Sequence, residues 1–330
     1  MTAENQLHAP PYKSFQDVEQ QIMTDGTLSS TGLDMRPTIL WYQANRELIQ
    51  QLLSSHLSKA GSAQLPEVVQ IDQVQLSQDS LARIVGLFPS QAQGRSIATR
   101  IQGNPSLWFH KDSTNGPKPT AEEVEKLSPT AIIPSYVGYS RNDDGKLEAE
   151  IMLYHVPEDA VEDEEVAKLI LAEGAVHEYF HTLTAELLYS DDHLRLVDGT
   201  IVNGHDFIMT TFQALAQAHG PISHYSSFYR DENNHFTGTD KRTAVSEELV
   251  EAGTTHLLGF GSGSFVDIPN DPFKDRREIR HFLDDFLYAE LVSAQDIEAQ
   301  QLPVANPTDL AQAYLNLRSV IGYTHSEALS

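Results

Sequence analysis

A five-residue string, HEYFH at positions 177–181, combines two imidazoles and a carboxylate at a spacing that suits metal chemistry. Residues four apart on an α-helix lie one above the other, so His177 and His181 can share one metal ion. Glu178 is offset by about 100° around the helix, so it can reach a water on that ion without being a ligand. Zinc in such a site lowers the pKa of the water, and the carboxylate accepts its proton. The string therefore predicts a catalytic zinc site with Glu178 as the general base.

A catalytic zinc usually has three protein ligands and a fourth position for water. The extended HExxHxxGxxH pattern is excluded, because Thr184 and Leu187 stand where it requires Gly and His. Cysteine ligands are excluded too, since the chain has no Cys. We therefore expect a carboxylate from another segment, and SEELVEAGT at 246–254 offers Glu247 and Glu251 one helical turn apart. One of them can bind the metal while the other accepts the free N–H of a ligand histidine.

The string HEYFH, followed 66 residues after His181 by EELVE, resembles the gluzincin group of zinc metallopeptidases. In that group a second helix carries E-x-x-x-D or E-x-F-A-E. The resemblance implies a zincin-like fold, with Glu247 as the third zinc ligand and Glu251 as a supporting residue. The chain departs from the pattern in having Leu-Val where Phe-Ala is usual and in the long separation of the two motifs. Glu248 points away from the apolar face of this helix and is expected to be solvated.

A further group usually stabilises the oxyanion that forms when the carbonyl becomes tetrahedral. The stretch ISHYSS at 222–227 resembles the segment before the ligand helix in several gluzincins, where a tyrosine donates to the oxyanion. The resemblance implies this role for Tyr225. Because a longer stretch separates it from the ligand helix here, Tyr229, His224 and His205 are alternative donors.

The elements that must position these residues can be read from hydrophobic periodicity. Apolar residues recur at three- and four-residue spacing up to about Leu188, which predicts one long buried helix around HEYFH. Pro157 and the acidic run at 158–165 mark its start. Before it, the segment Leu147–His155 alternates apolar and polar residues, so we expect an edge strand with one wet face.

The predicted class is α+β, with a small mixed sheet and an active-site helix followed by a mainly helical C-terminal half. Residues 1–65 form a helical N-terminal region, 66–190 an α/β subdomain with the edge strand and active-site helix, and 191–330 a helical subdomain that carries the third metal ligand. Within the last, the pattern predicts helices near 204–218, 243–258, 274–294 and 308–319, with a loop over 220–242.

The charge balance limits the partners. The chain has 330 residues, with 22 Lys plus Arg against 47 Asp plus Glu, giving a formal net charge of −25. Nucleic acids and anionic membranes attract clustered basic residues, so neither is expected as a partner. No apolar run reaches the roughly 18 residues of a membrane helix, and the first 30 residues do not resemble a signal peptide. We expect a cytoplasmic protein or one exported by a signal-peptide-independent route.

These observations together predict a zinc-dependent metallopeptidase, an endopeptidase that acts on a peptide or protein. Its edge strand at 147–155 would pair with the extended substrate. Two alternatives stay open: a zinc-dependent hydrolase of another amide or ester, and a binding or regulatory protein whose metal site stabilises the fold without turnover. The sequence gives no indication of oligomeric state.

Overall fold

The computed structural model describes residues 36–105, 134–156, 161–227, 229–237, 241–261 and 273–317. Its helices are α1 (Arg36–Lys59), α2 (Gln78–Val85), α3 (Ser90–Arg95), α4 (Glu164–Tyr189), α5 (Gly204–Asp206), α6 (Gln213–His219), α7 (His224–Ser227), α8 (Lys241–Leu258), α9 (Arg277–Tyr288), α10 (Ala294–Gln300) and α11 (Pro307–Asn316). A π-helical segment (Phe207–Phe212) joins α5 to α6. The strands are β1 (Glu67–Val69), β2 (Ala98–Asn104), β3 (Ser135–Arg141), β4 (Leu147–Tyr154), β5 (His193–Arg195), β6 (Ile201–Asn203) and β7 (Glu290–Val292). The predicted α+β class is confirmed.

A four-stranded mixed sheet has the order β1-β2-β4-β3, in which β3 runs antiparallel to the other strands. The segment predicted to be the edge strand, Leu147–His155, is β4 and lies inside the sheet, so that prediction is wrong. Among the described residues the edge strands are β1 and β3. The alternation itself is confirmed, because Ala149, Ile151 and Leu153 are buried. Alternating polarity reports which face of a strand meets water, but it carries no information about the neighbours on either side.

Helix α4 covers one face of this sheet and carries HEYFH. Asp163 caps its first turn by accepting a hydrogen bond from the backbone N–H of Glu165 at 3.0 Å. The predicted end near Leu188 is confirmed, whereas Pro157 and the first part of the acidic run, 158–160, lie outside the described residues. A Cβ at Gly174 would lie 2.6 Å from the Ser135 hydroxyl, so glycine at this position lets β3 approach the helix closely.

The predicted helix near 243–258 is confirmed as α8, which packs directly against α4. Glycine makes this contact close, since a Cβ at Gly253 would lie 2.1–2.7 Å from ring atoms of Phe180 on α4. The buried hydroxyls of Thr184 and Ser246 join the same two helices at 3.2 Å. Glu247 and Glu251 are therefore held at a fixed height beside the histidines of α4.

The C-terminal half is less helical than predicted. A second sheet of three short strands, ordered β6-β5-β7, was not expected from the sequence. The helix predicted over 274–294 ends at Tyr288, and β7 follows it, because Ala289 adopts an extended backbone conformation and Glu290–Val292 pair with β5. Three-residue strands are too short to produce a detectable alternation, and their pairing partners are distant in sequence.

The other predicted helices agree with the structure where it describes them. The helix near 204–218 corresponds to α5, the π-helical segment and α6, and the one near 308–319 to α11, with 318–330 outside the described residues. The loop expected over 220–242 contains the short helix α7 and a bridge between Arg230 and Phe236. The subdomain boundaries at 65 and 190 stay predictions. No helix in the described ranges is both long and apolar enough to cross a bilayer.

The close contact at Gly253 gives the first test. We expect Gly253→Ala to lower the free energy of unfolding by about 1–3 kcal/mol, because the Phe180 ring must move within a packed core. Gly94→Ala is the matched control: Gly94 lies in α3 and an added Cβ meets no heavy atom within 4 Å. This second change should be neutral or stabilise by up to about 1 kcal/mol. Thermal denaturation of both variants measures the difference, and equal stabilities would contradict the packing argument.

Candidate metal centre

Two helices bring a compact set of metal-binding groups together. His177 Nε2 and His181 Nε2 are 3.2 Å apart, and Glu247 Oε2 is 3.5 Å from each of them. Within the described residues these three side chains are the group that could hold a metal ion. The tertiary structure thus joins the two sequence motifs at one point.

The dimensions of this triangle fit a tetrahedral zinc ion. Ligand atoms about 2.0–2.1 Å from such an ion lie roughly 3.3 Å from one another. Glu247 Oε2 is buried and forms no hydrogen bond, although it faces two imidazole nitrogens. A buried carboxylate oxygen without a hydrogen bond is costly, and a cation at the centre of the triangle would satisfy it. Two imidazoles and one carboxylate form the donor set of a catalytic zinc site with a free fourth position.

Glu251 occupies the position expected of a supporting carboxylate. Its Oε1 lies 3.2 Å from His177 Nδ1, on the side of the ring opposite the triangle. This contact holds the proton on Nδ1 and leaves Nε2 free to face a metal. Burial by itself lowers the pKa of His177, but Glu247 and Glu251 outweigh it and raise that pKa well above its usual value. Burial by itself raises the pKa of Glu247, but the two histidines outweigh it and lower that pKa strongly.

Glu178, the predicted general base, is almost fully buried on α4 beside the triangle, with 7% of its surface exposed. Its Oε1 accepts a hydrogen bond from the Ser135 hydroxyl at 2.9 Å. Ser135 begins β3, and the bond exists because Gly174 allows the strand to approach the helix. Sequence reasoning missed Ser135, since a single serine 43 residues away gives no signal of this contact.

Tyr225, the predicted oxyanion donor, lies in α7 with its hydroxyl 3.0 Å from that of Tyr229. Burial raises the pKa of Tyr225 well above its usual value, and the charges of Glu247 and Glu251 and the contact with Tyr229 raise it further. The phenol is therefore protonated at neutral pH and able to donate a hydrogen bond. Because the charges of Glu247 and Glu251 act on its pKa, the Tyr225 phenol lies near the candidate metal centre.

The alternative donors differ in their placement. Tyr229 contacts Tyr225, so the two phenols form a pair. His205 lies 3.4 Å from Asp206 and lines a surface depression with Tyr189 and Arg242. The side chain of His224 is outside the described part of the structure.

Glu248 is buried, with 1% of its surface exposed, so the prediction that it is solvated is wrong. Its Oε1 accepts from the backbone N–H of Ile222 at 2.9 Å, and its Oε2 lies 3.2 Å from Arg230 Nη2. Glu248 does point away from the apolar face of α8, but Ile222 and Arg230 cover that side of the helix. Arg230 also stacks on Phe236, with 4.1 Å between its guanidinium carbon and the ring centre.

This buried ion pair fixes the segment that carries the two tyrosines to the helix that carries Glu247. Burial raises the pKa of Glu248 and lowers that of Arg230, while each partner opposes the change in the other. Arg276 extends the anchor by donating to the backbone oxygen of Pro221 at 3.1 Å. The position of Tyr225 therefore depends on the residue directly after Glu247.

Two other histidines, His219 and His256, are paired with carboxylates outside the candidate metal centre. His219 Nε2 lies 2.6 Å from Glu278 Oε1 in the core, and His256 Nε2 lies 3.0 Å from Asp284 Oδ1. Each imidazole has a carboxylate partner away from the candidate metal centre.

Comparisons of the chain with models of known protein families, with curated proteins and with solved structures find no match.

The geometry implies different roles for Glu247 and Glu251, and zinc-binding measurements on variants distinguish these roles. Glu247→Gln should abolish stoichiometric zinc binding, because it removes a direct ligand. Glu251→Gln should retain the site but weaken zinc binding by about 10–100-fold, the usual effect of losing a carboxylate behind a ligand histidine. Competition with a chromophoric chelator measures both. If Glu251→Gln lost zinc while Glu247→Gln kept it, the two roles would have to be exchanged.

The raised pKa of His177 predicts how zinc binding responds to pH. In the metal-free protein the neighbouring glutamates favour the doubly protonated form of this imidazole, and zinc must displace the additional proton. Acidification therefore favours the metal-free form, and we expect the zinc affinity to fall by about tenfold per pH unit for each proton displaced between pH 8 and 6. The same chelator competition, repeated across this range, measures the slope. A flat profile would mean that His177 is neutral before the metal binds.

Proposed function

We propose that this protein is a zinc-dependent metallopeptidase of the gluzincin type, with a zincin-like fold and endopeptidase activity. One observation carries the proposal: His177, His181 and Glu247 form a triangle of zinc-sized dimensions, and Glu251 stands behind the first histidine. A structural metal site would not need a further carboxylate beside it, whereas a hydrolytic site needs a base at the position of Glu178.

Zinc bound in the triangle would act as a Lewis acid that polarises the scissile carbonyl and makes water more acidic. Glu178 accepts the proton of the attacking water and then delivers it to the leaving amine. The Ser135 hydroxyl holds one carboxylate oxygen of Glu178, so the other can turn towards the water. Tyr225 donates its proton to a hydrogen bond with the developing oxyanion, a role for which a protonated phenol is required.

Substrate binding is proposed at β3 instead of β4. The edge of a sheet presents N–H and C=O groups that an extended peptide can pair with. β3 is one of the two edge strands of the described sheet, and its first residue, Ser135, contacts the general base. A peptide paired with this strand would therefore lie on the element that contacts the general base. An internal peptide bond is reached by this geometry without requiring a chain end, which favours endopeptidase activity.

Replacement of the general base tests the proposal. Glu178→Gln should reduce peptide hydrolysis by about a hundredfold or more, because a positioned base contributes 10²–10⁴-fold, while zinc content stays unchanged. Glu165→Gln, an exposed glutamate at the start of the same helix, is the matched control and should keep full activity. Cleavage of a peptide library is followed by mass spectrometry, and bound zinc by elemental analysis.

Three results would contradict the proposal. If the protein purified without chelator contained no zinc, the result would contradict the proposed metal centre. Zinc-loaded protein that hydrolyses esters or other amides but no peptide would favour the alternative hydrolase. If zinc raised the melting temperature of the wild type and of Glu178→Gln equally, and neither protein hydrolysed any substrate, the protein would be a regulatory one.

A further inference from the structure

A surface depression of about 440 Å³ lies at the C-terminal end of α4, apart from the metal ligands. Basic side chains dominate its charged lining: Arg95, Arg141 and Lys146 against the single acid Glu186. This is unusual for a chain with 22 basic and 47 acidic residues. Basic side chains elsewhere, such as Arg46, Arg100 and Lys168, lie within 4 Å of carboxylates. None of the three in the depression forms such a pair among the described residues.

Arg95 is the least satisfied of these cations. It is 6% exposed, its Nη2 donates to the backbone oxygen of Phe286, and its Nε and Nη1 are buried with no hydrogen-bond partner in the described structure. Burial lowers the pKa of Arg95 to about 10, so it still carries its charge at neutral pH. A buried charge without a counter-ion is costly, and its field extends into the adjoining depression.

The acidic residue in the lining does not neutralise these cations by direct contact. Burial raises the pKa of Glu186, and the charge of Asp192 adds to this effect, while Arg141 opposes it. Arg141 uses its Nη1 to donate to the backbone oxygen of Gly145 at 2.7 Å. Arg141 and Lys146 are both exposed, so they can move towards a ligand.

The depression and the candidate metal centre share helix α4. Glu186 and Tyr189, near the end of this helix, both line the depression. Along α4, Glu186 and Tyr189 follow His181 by five and eight residues, which correspond to about 7.5 and 12 Å. An extended peptide covers this distance with about two to four residues.

We propose that this depression is a substrate subsite that receives a carboxylate of the peptide, supplied either by an Asp or Glu side chain or by the C-terminus. The inference rests on the proposed peptidase function, because it places the carboxylate about two to four residues from the cleaved bond. Arg141 and Lys146 contact the carboxylate, and the buried charge of Arg95 adds a long-range attraction. The subsite gives a strongly acidic protein a selective preference for acidic peptides.

Matched peptides test this subsite. A set in which Glu is replaced by Gln at each position within four residues of the cleaved bond, each with a free or an amidated C-terminus, separates the two carboxylate sources. We expect kcat/KM to be about three- to tenfold higher for the best carboxylate-bearing peptide than for its neutral partner, the scale of a half-exposed ion pair. In Arg141→Gln/Lys146→Gln this ratio should fall to about one.

A second double variant controls for net charge. Lys59→Gln/Arg83→Gln removes two exposed positive charges from α1 and α2 and should retain the wild-type ratio. Sensitivity to Glu→Gln alone identifies a side-chain carboxylate, and sensitivity to amidation alone identifies the C-terminus. Equal kcat/KM for acidic and neutral peptides, or a preference that survives in Arg141→Gln/Lys146→Gln, overturns the inference while leaving the peptidase proposal intact.

If the wild-type protein cleaves none of the peptides, the proposed function is contradicted. The subsite is then tested by measuring how tightly the peptides bind. Fluorescence anisotropy of the same labelled peptides with the zinc-loaded full chain measures this. Tighter binding of carboxylate-bearing peptides that is lost in Arg141→Gln/Lys146→Gln supports the depression as a peptide-carboxylate site. Equal binding of both peptide types overturns it.

Discussion

The contact between α4 and α8 is the constraint on which the candidate metal centre depends. Each helix supplies only part of the donor set, and neither part can hold a catalytic metal by itself. Gly253 lets the helices approach until the ring of Phe180 fills the space between them, and the Thr184–Ser246 hydroxyl pair fixes their relative height. A shift of one helix by a single residue would move Glu247 by about 1.5 Å and break the triangle.

The same helix pair organises the groups around the triangle by a sequence of short contacts. Glu251 orients His177 from one side, and Ser135 on the sheet edge holds Glu178 from the other. Glu248 binds the segment that bears Tyr225, so adjacent residues of α8 serve the metal centre and its surroundings. Burial of the Glu248–Arg230 pair has a desolvation cost that a solvated surface pair does not have. The buried pair fixes the position of the loop that carries Arg230. Most of this organisation consists of polar contacts between elements far apart in sequence.

The charge distribution gives the surface a second level of organisation. The protein as a whole is strongly acidic, which keeps it repelled from other polyanions. The cluster of Arg95, Arg141 and Lys146 differs from that background and lines the depression at the C-terminal end of α4. Local potential at such a site is set by the nearest charges, especially where one of them is buried, because screening by salt acts over about 10 Å. Net charge therefore underlies the sequence-based expectation about partners, whereas the local cluster underlies the proposed carboxylate subsite.

The sequence by itself determined the long helix around HEYFH and the pairing of two histidines on one face, and it predicted a carboxylate as the third member of the candidate metal site. These follow from helical periodicity and from the absence of cysteine, which are local or compositional properties. The tertiary structure decided which strand forms the edge, that Glu248 is buried, that β5, β6 and β7 form a sheet, and that Ser135 meets Glu178. Each of these depends on which distant segment covers a given face, and a hydrophobic pattern records that a face is covered or wet without recording by what.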